Sequence, residues 1–325
     1  MRDSIACLGA GRMGRGIAVV FAYAGHKVAL VDFKARDEAA FRTLSGDALS
    51  EVRGVLSILA GFGQFDAAHV DAIADRVSVV PEAGAQTALS SASIIFEGVP
   101  EMLDLKREAL ARASKLAGPM PIIASTTSTI LVDDLSSAVE QPERFLNAHW
   151  LNPAFLVPLV EISPGRHTDP AVTGRVQALL ESVGKVPVVC AARPGYIVPR
   201  IQALAMNEAA RMVEEGVASP EDIDKAIRYG FGFRFAVLGM LEFIDWGGGD
   251  ILYYASRYLV GALGNERYAA PEIVERNMAE GRRGLRDGAG FLNYDGLDLE
   301  AYRRERLKAM VELLGHFGLN RPPVL

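Results

Sequence analysis

The apolar residues Ile5-Ala6-Cys7-Leu8 run straight into Gly9-Ala10-Gly11-Arg12-Met13-Gly14, a helical stretch from Arg15 to Ala24 follows, and a second apolar run ends at Asp32. No other feature restricts the chain as strongly. A strand, a Gly-x-Gly-x-x-Gly turn, a helix and an acid-ended strand in this order make the turn at the edge of a parallel sheet that holds a dinucleotide. Gly9 permits the tight turn, Gly11 lets the backbone approach a pyrophosphate, and Gly14 lets helix and strand pack closely. Arg12 and Met13 sit at the helix start, where unsatisfied N–H groups bind phosphate. Asp32, 18 residues beyond Gly14, is placed to take the ribose hydroxyls and to repel a 2'-phosphate, so the motif points to NAD over NADP. Lys34 and Arg36 stand nearby, as solvated charges or as cations able to meet that extra phosphate.

Around this motif, strand-length apolar runs alternate with helical periodicity over the first ~190 residues, the pattern of an α/β doubly wound sheet. Strands are predicted over Ser4 to Leu8, Lys27 to Val31, Arg76 to Val80, Ser93 to Phe96, Ile122 to Ala124, Phe145 to Ala148, Leu159 to Ile162 and Val186 to Cys190. Between the second and third, Glu38 to Asp75 reads as a helical insertion too long for a simple crossover. Arg193-Pro194-Gly195 punctuates the pattern, and beyond it one long helical stretch, Tyr196 to Glu215, opens an all-helical half. The expected domains are therefore 1–192, Rossmann-like and nucleotide-binding, and 193–325, helical. Ser219-Pro220-Glu221-Asp222 is a helix start in that second half. Its apolar stretches, Ile251 to Leu263 among them, exceed what ~130 residues bury alone, and a homodimer through this half is expected.

A net charge of -6 without a basic tract argues against a nucleic-acid partner and for a small molecule. The longest apolar stretch, Ile17 to Ala24, is far short of the ~20 residues of a membrane span, and the N-terminus lacks a signal-peptide pattern. Cys7 and Cys190 both lie in apolar runs, which fits buried thiols in a reducing cytoplasm. The five histidines, at 26, 69, 149, 167 and 316, show no spacing that would hold a metal.

Three further segments carry chemistry. The fourth strand leads into Glu97-Gly98-Val99-Pro100-Glu101, whose two acids are candidate cofactor or substrate neighbours, or plain helix-start acids. Ser125-Thr126-Thr127-Ser128-Thr129 is a hydroxyl-rich turn after a strand. His149 ends another strand before Asn152-Pro153, and Glu161 follows 12 residues later in a Val-rich run where an unpaired carboxylate is costly. A His149–Glu161 pair answers both needs: the carboxylate holds one ring nitrogen and leaves the other as a general base for an alcohol proton. Ser128 is then placed to hydrogen-bond the substrate oxygen. A core histidine with a fortuitous glutamate is the plainer alternative.

These segments, with Arg193 to Ile197, Ser219 to Asp224 and Gly284 to Tyr294, occur in an order and spacing that resembles the L-3-hydroxyacyl-CoA dehydrogenase family over the whole chain. The resemblance implies NAD-dependent interconversion of a 3-hydroxyacyl substrate and its 3-keto form. It makes His149 the acid/base, Glu161 its orienting partner and Ser128 the hydroxyl-binding residue, ahead of a helical dimer domain. Two departures stand out. Pro199 occupies the place where the family carries a helix asparagine, leaving Asn152 or Asn207 to supply an amide. Leu59 to Gln64 has no cation where relatives that use CoA carry lysines. Val99 to Lys106 and Gly230 to Ala236 are closer to the gulonate 3-dehydrogenase (lambda-crystallin) and carnitine dehydrogenase branch, which implies a free 3-hydroxy acid, or an aldehyde hydrate, over the CoA thioester. Arg234, between Phe233 and Phe235, is then a candidate clamp for a substrate carboxylate. Trp150, Phe155 and Asn152 are candidate pocket residues, with plain core packing the alternative for the aromatics. A non-catalytic, crystallin-like NAD-binding protein is the competing class.

Overall fold

The computed structural model describes residues 2–324. The chain divides into two compact units, Met1–Met206 and Asn207–Leu325, and the division falls inside the helix Val198–Glu214.

The first unit is built on one eight-stranded sheet: β1 (Ser4–Leu8), β2 (Lys27–Val31), β3 (Val77–Val80), β4 (Ile94–Glu97), β5 (Ile122–Ser125), β6 (Phe145–Trp150), β7 (Leu159–Pro164) and β8 (Val186–Val189). Their order is β3-β2-β1-β4-β5-β6-β7-β8. All neighbours are parallel except β6 and β7, which pair antiparallel with His149 opposite Glu161. The eight apolar runs of the sequence are thus all strands, but the parallel order breaks once, because hydrophobicity marks burial and says nothing of direction. The insertion is helical as expected, with Glu38–Gly61 capped by the Asp37 carboxylate on the Ala40 N–H and Val70–Ala74 closing it.

Alternation along the strands sorts side chains onto two faces. Ile5, Cys7, Phe96, Ala124, Leu146, Ala148 and Trp150 join the helix Arg12–Tyr23 in one core, while Ala6, Leu8, Ile95, Ile123 and Phe145 join Leu110 and Ala113 of the helix Leu103–Ala117 in the other. Glu97, Ser125, Asn147 and His149 share the parity of Ile95, Ile123 and Phe145, so all four project from that second face near the carboxyl edge. The register sets Glu97 beside Ser125 and Ser125 beside Asn147.

The second unit is helical, as expected. Its hub is Asp245, buried, whose carboxylate accepts the Phe291 and Leu292 N–H groups (2.9 and 2.8 Å) and the Tyr294 hydroxyl (3.1 Å). A Cβ on Gly290 would lie 2.0 Å from that carboxylate, which is why the Gly284 to Tyr294 segment needs glycine there. The helix Gly249–Leu263 leaves Ile251, Tyr254, Tyr258 and Leu263 exposed.

Candidate active site

The glycine turn has the geometry its spacing predicts. Gly9 takes φ +96°, a conformation that a side chain strains. A Cβ on Gly14 would stand 2.2 Å from the Gly9 carbonyl oxygen, whereas one on Gly11 would meet nothing within 4 Å. Gly11 caps the helix Arg12–Tyr23 without a side-chain bond, so no capping side chain occupies the first N–H groups of that helix, those of Arg12, Met13 and Gly14. Tight packing behind and room in front suit a pyrophosphate. Asp32 lies at the end of β2, buried, and its carboxylate accepts the Arg36 Nε–H (2.5 Å) and the Lys34 N–H (3.3 Å). Arg36 is therefore neutralised by the acid it flanks.

The Glu97 to Glu101 loop is arranged differently from the sequence expectation. Glu97 is fully buried, and its carboxylate is consumed inside the protein: Lys106 Nζ donates to both oxygens (2.9 and 3.1 Å), Ser125 Oγ to one (2.5 Å), and the Val99 N–H to the other (2.7 Å). A carboxylate that accepts four hydrogen bonds from three groups and has no exposed surface does not touch a cofactor, so Glu97 is corrected to an anchor of the loop. Lys106, 1% exposed, was missed altogether. Its sequence signal was its place on the apolar stripe of its helix, at helical spacing from Ala109, Leu110, Ala113 and Ala117, where a lysine demands a partner. Glu101 remains at the surface of the same cluster, with Lys106 Nζ 3.4 Å away. Its Oε1 accepts the Ser128 and Thr129 N–H groups (2.9 and 3.0 Å) and the hydroxyls of Thr127 and Thr129. Partial burial works to raise the Glu101 pKa, but the Thr127 bond and the Lys106 charge outweigh it and hold the carboxyl below its ordinary value. An ionised Glu101 thus fixes the hydroxyl turn, from which Ser128 stands exposed.

On the same face, His149 Nδ1 lies 2.8 Å from Glu161 Oε2, both side chains nearly or wholly buried. Glu161 Oε1 accepts the Ile197 and Val198 N–H groups (2.9 and 2.8 Å), which caps the helix Val198–Glu214. Pro199 falls in the first turn of that helix, where its missing N–H costs nothing. Two backbone N–H groups already donate to Glu161, and its contact with His149 is made by a ring proton on Nδ1, the tautomer that leaves the Nε2 lone pair free. Tyr196, unremarked in the sequence, lies with its ring centroid 5.0 Å from that of His149 at an interplanar angle of 10°. Its hydroxyl donates to the Thr127 carbonyl (2.9 Å) and accepts from Asn147 Nδ2 (3.0 Å). Only the aromatic character of a residue after Pro-Gly hinted at it. His149, Glu161 and the Ser128 turn are thereby bound into one cluster.

The expected pocket residues do not all join it. Trp150, beside His149 in sequence, points to the opposite face of β6 and packs against Phe21 and Phe96, 2% exposed. It is corrected to a core residue, since consecutive strand residues cannot line one cleft. Phe155 packs against the same core and borders a cavity of about 410 Å³ with Val19, Tyr23, Leu59 and Phe62, which His149 does not line. Asn152 is exposed on the β6–β7 loop. Arg234, in the second unit, is exposed at the end of a π-helical turn, its guanidinium 4.6 Å over the Phe243 ring and its Nε–H on the Gly230 carbonyl (3.0 Å). Of the thiols, Cys7 is buried and pushed up to about 12 by desolvation, but Cys190 is only half-buried, correcting the expectation that both are core. Among the described residues no group of three or more potential metal ligands occurs, and no helix is long and apolar enough to cross a membrane.

A dinucleotide loop and a carboxylate-held imidazole on one sheet edge define a nicotinamide-dependent oxidoreductase. Comparison with known proteins makes the family explicit. Residues 4–193 match the NAD-binding domain of 3-hydroxyacyl-CoA dehydrogenase and 195–294 its C-terminal domain. The chain is 30% identical over 322 residues to 5-formyl-3-hydroxy-2-methylpyridine 4-carboxylate 5-dehydrogenase of Mesorhizobium japonicum, covering 96% of this chain and 97% of that protein. It is 34% identical to a lambda-crystallin homolog of Bos taurus over 78% of this chain and 77% of that one. A crystal structure of a 3-hydroxyacyl-CoA dehydrogenase from Archaeoglobus fulgidus superposes with a TM-score of 0.76 at 32% identity, covering 98% of this chain and all of that one. The chain belongs to the 3-hydroxyacyl-CoA dehydrogenase family and is an NAD-dependent dehydrogenase acting on CH–OH groups.

Proposed function

We propose that the substrate is a small free hydroxy acid, oxidised at a 3-hydroxyl or an equivalent carbinol, and not its CoA thioester. The observation that carries this is the charge of the helical insertion. Residues 38–75 hold two arginines against six carboxylates, and no lysine. Arg42 pairs with Glu38 (3.3 Å), and Arg53 with Asp71 (2.6 Å) and Asp75 (3.5 Å). Leu59 to Gln64, free of cations, carries a Phe62 that is 73% exposed. Such a surface repels the phosphates of CoA. The relative from Mesorhizobium japonicum, matched along nearly its whole length, is named for a pyridine carboxylate, a free acid.

In this reading His149 is the base. Its Nε2 takes the carbinol proton, Glu161 stabilises the imidazolium that forms, and the Ser128 hydroxyl donates to the oxygen as it becomes a carbonyl. Bound NAD supplies the hydride acceptor. The loop Gly9 to Gly14 holds its pyrophosphate, Asp32 its ribose, and Glu101 the turn that borders it. Asn152 is the polar side chain of the first unit we assign to the substrate; in the second unit Arg234, whose guanidinium makes no ion pair among the described residues, is assigned on its own chemistry as a bidentate carboxylate partner. The exposed apolar face of Gly249–Leu263 is assigned to a homodimer, testable by sedimentation, and the two unpaired thiols fit a cytoplasmic setting.

NADH formation with 3-hydroxybutyryl-CoA, free 3-hydroxy acids and hydroxymethyl pyridine carboxylates tests the substrate. A kcat/KM for the thioester more than about tenfold above every free acid would reverse the assignment to the thioester dehydrogenase that the family's name favours. A non-catalytic NAD-binding role predicts no turnover of any of them and is opposed by the satisfied His149–Glu161 pair.

A further inference from the structure

We infer that Tyr196 is a positioning residue that aligns the His149 imidazole with the hydroxyl turn carrying Ser128. The inference rests on the reading of His149 as the base and adds the part that fixes its direction. Three contacts carry it. The phenol ring lies nearly parallel to the imidazole at 5.0 Å, so it covers one face of that ring and restrains its rotation. The phenol hydroxyl donates to the carbonyl of Thr127, the residue before Ser128. And the next two N–H groups of the chain, Ile197 and Val198, bind the very carboxylate that holds the imidazole.

The backbone shows the cost of this arrangement. Tyr196 has φ +46°, the one non-glycine residue with positive φ among the described residues, directly after Gly195 at +79°. A bulky side chain in that region is strained and persists only where surroundings over-determine it. Here they do: the two bonds to Glu161 pin the chain on one side, while Asn147 Nδ2 and the Thr127 carbonyl pin the phenol on the other. Desolvation, with the nearby charges of Glu101 and Glu161, pushes the phenol pKa upward, which keeps the hydroxyl a donor to Thr127. One side chain therefore spans the base and the turn that meets the substrate oxygen, and sets their separation.

Tyr196→Leu removes both the stacking and the tether, and Tyr196→Phe removes the tether alone. With the best substrate of the panel, Tyr196→Leu is expected to lower kcat about 10²-fold, the size of effect a misplacement of about 1 Å produces. The NAD dissociation constant should stay within about twofold, since the glycine turn is untouched. In a His149→Ala background the same change should lower residual turnover less than about tenfold, because the part that acts through His149 is gone and only the tether to the hydroxyl turn is left to lose. Tyr196→Phe should retain more than about a tenth of wild-type kcat, and its deficit should vanish in a Ser128→Ala background. Equal losses with and without His149, or a Tyr196→Leu enzyme at wild-type kcat, overturn the inference. Should no compound be turned over, the catalytic reading has failed separately, and side-chain 15N NMR of His149 decides: a single Nδ1–H tautomer in the native protein and in Tyr196→Phe, with tautomer averaging in Tyr196→Leu, supports the positioning role. An unchanged spectrum in Tyr196→Leu refutes it.

Discussion

Replacing Glu161 by Gln changes one atom of the dyad and reverses its hydrogen-bond logic. The carboxylate accepts from three donors: Ile197 and Val198 on Oε1, and His149 Nδ1 on Oε2. A glutamine has one acceptor oxygen, which the two backbone N–H groups claim, so its NH2 faces the imidazole. Donor would then face donor, and the ring escapes by moving its proton to Nε2 and accepting at Nδ1. The nitrogen that should take the carbinol proton now carries one. The charge lost is equally costly: an imidazolium and a carboxylate centred about 4 Å apart attract by about 4 kcal/mol at an effective dielectric of 20. At 1.36 kcal/mol per decade this is about 10³ in kcat, and the wrong tautomer adds to it. The assay is initial-rate NADH formation, paired with NAD titration and thermal melting, both of which should hold near wild type because the shape is conserved. A Glu161→Gln enzyme within tenfold of native kcat would mean that the carboxylate does not hold the imidazole in its working state, and the catalytic reading would go with it.

Lys106→Met strands Glu97 in the core. Loss of one partner from a buried pair costs about 3–5 kcal/mol, which lowers the melting temperature of a unit of ~200 residues by about 6–20 °C, and the double change with Glu97→Gln should recover more than half of it. A single variant melting within 2 °C of native would show the pair to be dispensable, contrary to expectation. Gly14→Ala places a methyl 2.2 Å from the Gly9 carbonyl and should weaken NAD binding more than tenfold by calorimetry; unchanged affinity would disprove the packing account. In the second unit, burial works to raise the Glu242 pKa, but bonds from Tyr302 and Arg306 prevail and hold it below the ordinary 4.5. A depressed folded-state pKa gives stability that is full above the unfolded value and lost as pH falls through the folded one. Melting temperature should therefore fall below about pH 4.5, less steeply in Glu242→Gln, and identical acid limbs for the two proteins would contradict it.

The sequence displayed this fold unevenly, for physical reasons. Strands were legible because a sheet covered on both faces needs near-continuous apolar runs, and all eight stood out within a residue or two of their observed ends. The reversal that begins at β7 was hidden, since an apolar run reads alike in either direction. The glycine turn and the His149–Glu161 contact were legible because each rests on a local demand: a backbone that only glycine allows, a carboxylate that cannot stay alone among valines. Trp150 misled because adjacency in sequence is opposition in a strand. Glu97 misled because nothing local revealed its countercharge nine residues on, although Lys106 sits on an apolar stripe. Tyr196 was nearly invisible: its contacts are with Thr127 of the hydroxyl turn and with Asn147 and His149 of β6, which it meets only after the sheet has formed.

The one antiparallel pairing in the sheet has an evolutionary consequence. In a wholly parallel sheet each catalytic group would hang from a different crossover, and remodelling any one would disturb the others. Here acid and base sit side by side on adjoining arms of one hairpin, their separation fixed by main-chain pairing. Loops beyond the hairpin can change shape without altering the His149–Glu161 pairing, which suits a lineage whose members are named for substrates as unlike as an acyl thioester and a pyridine ring.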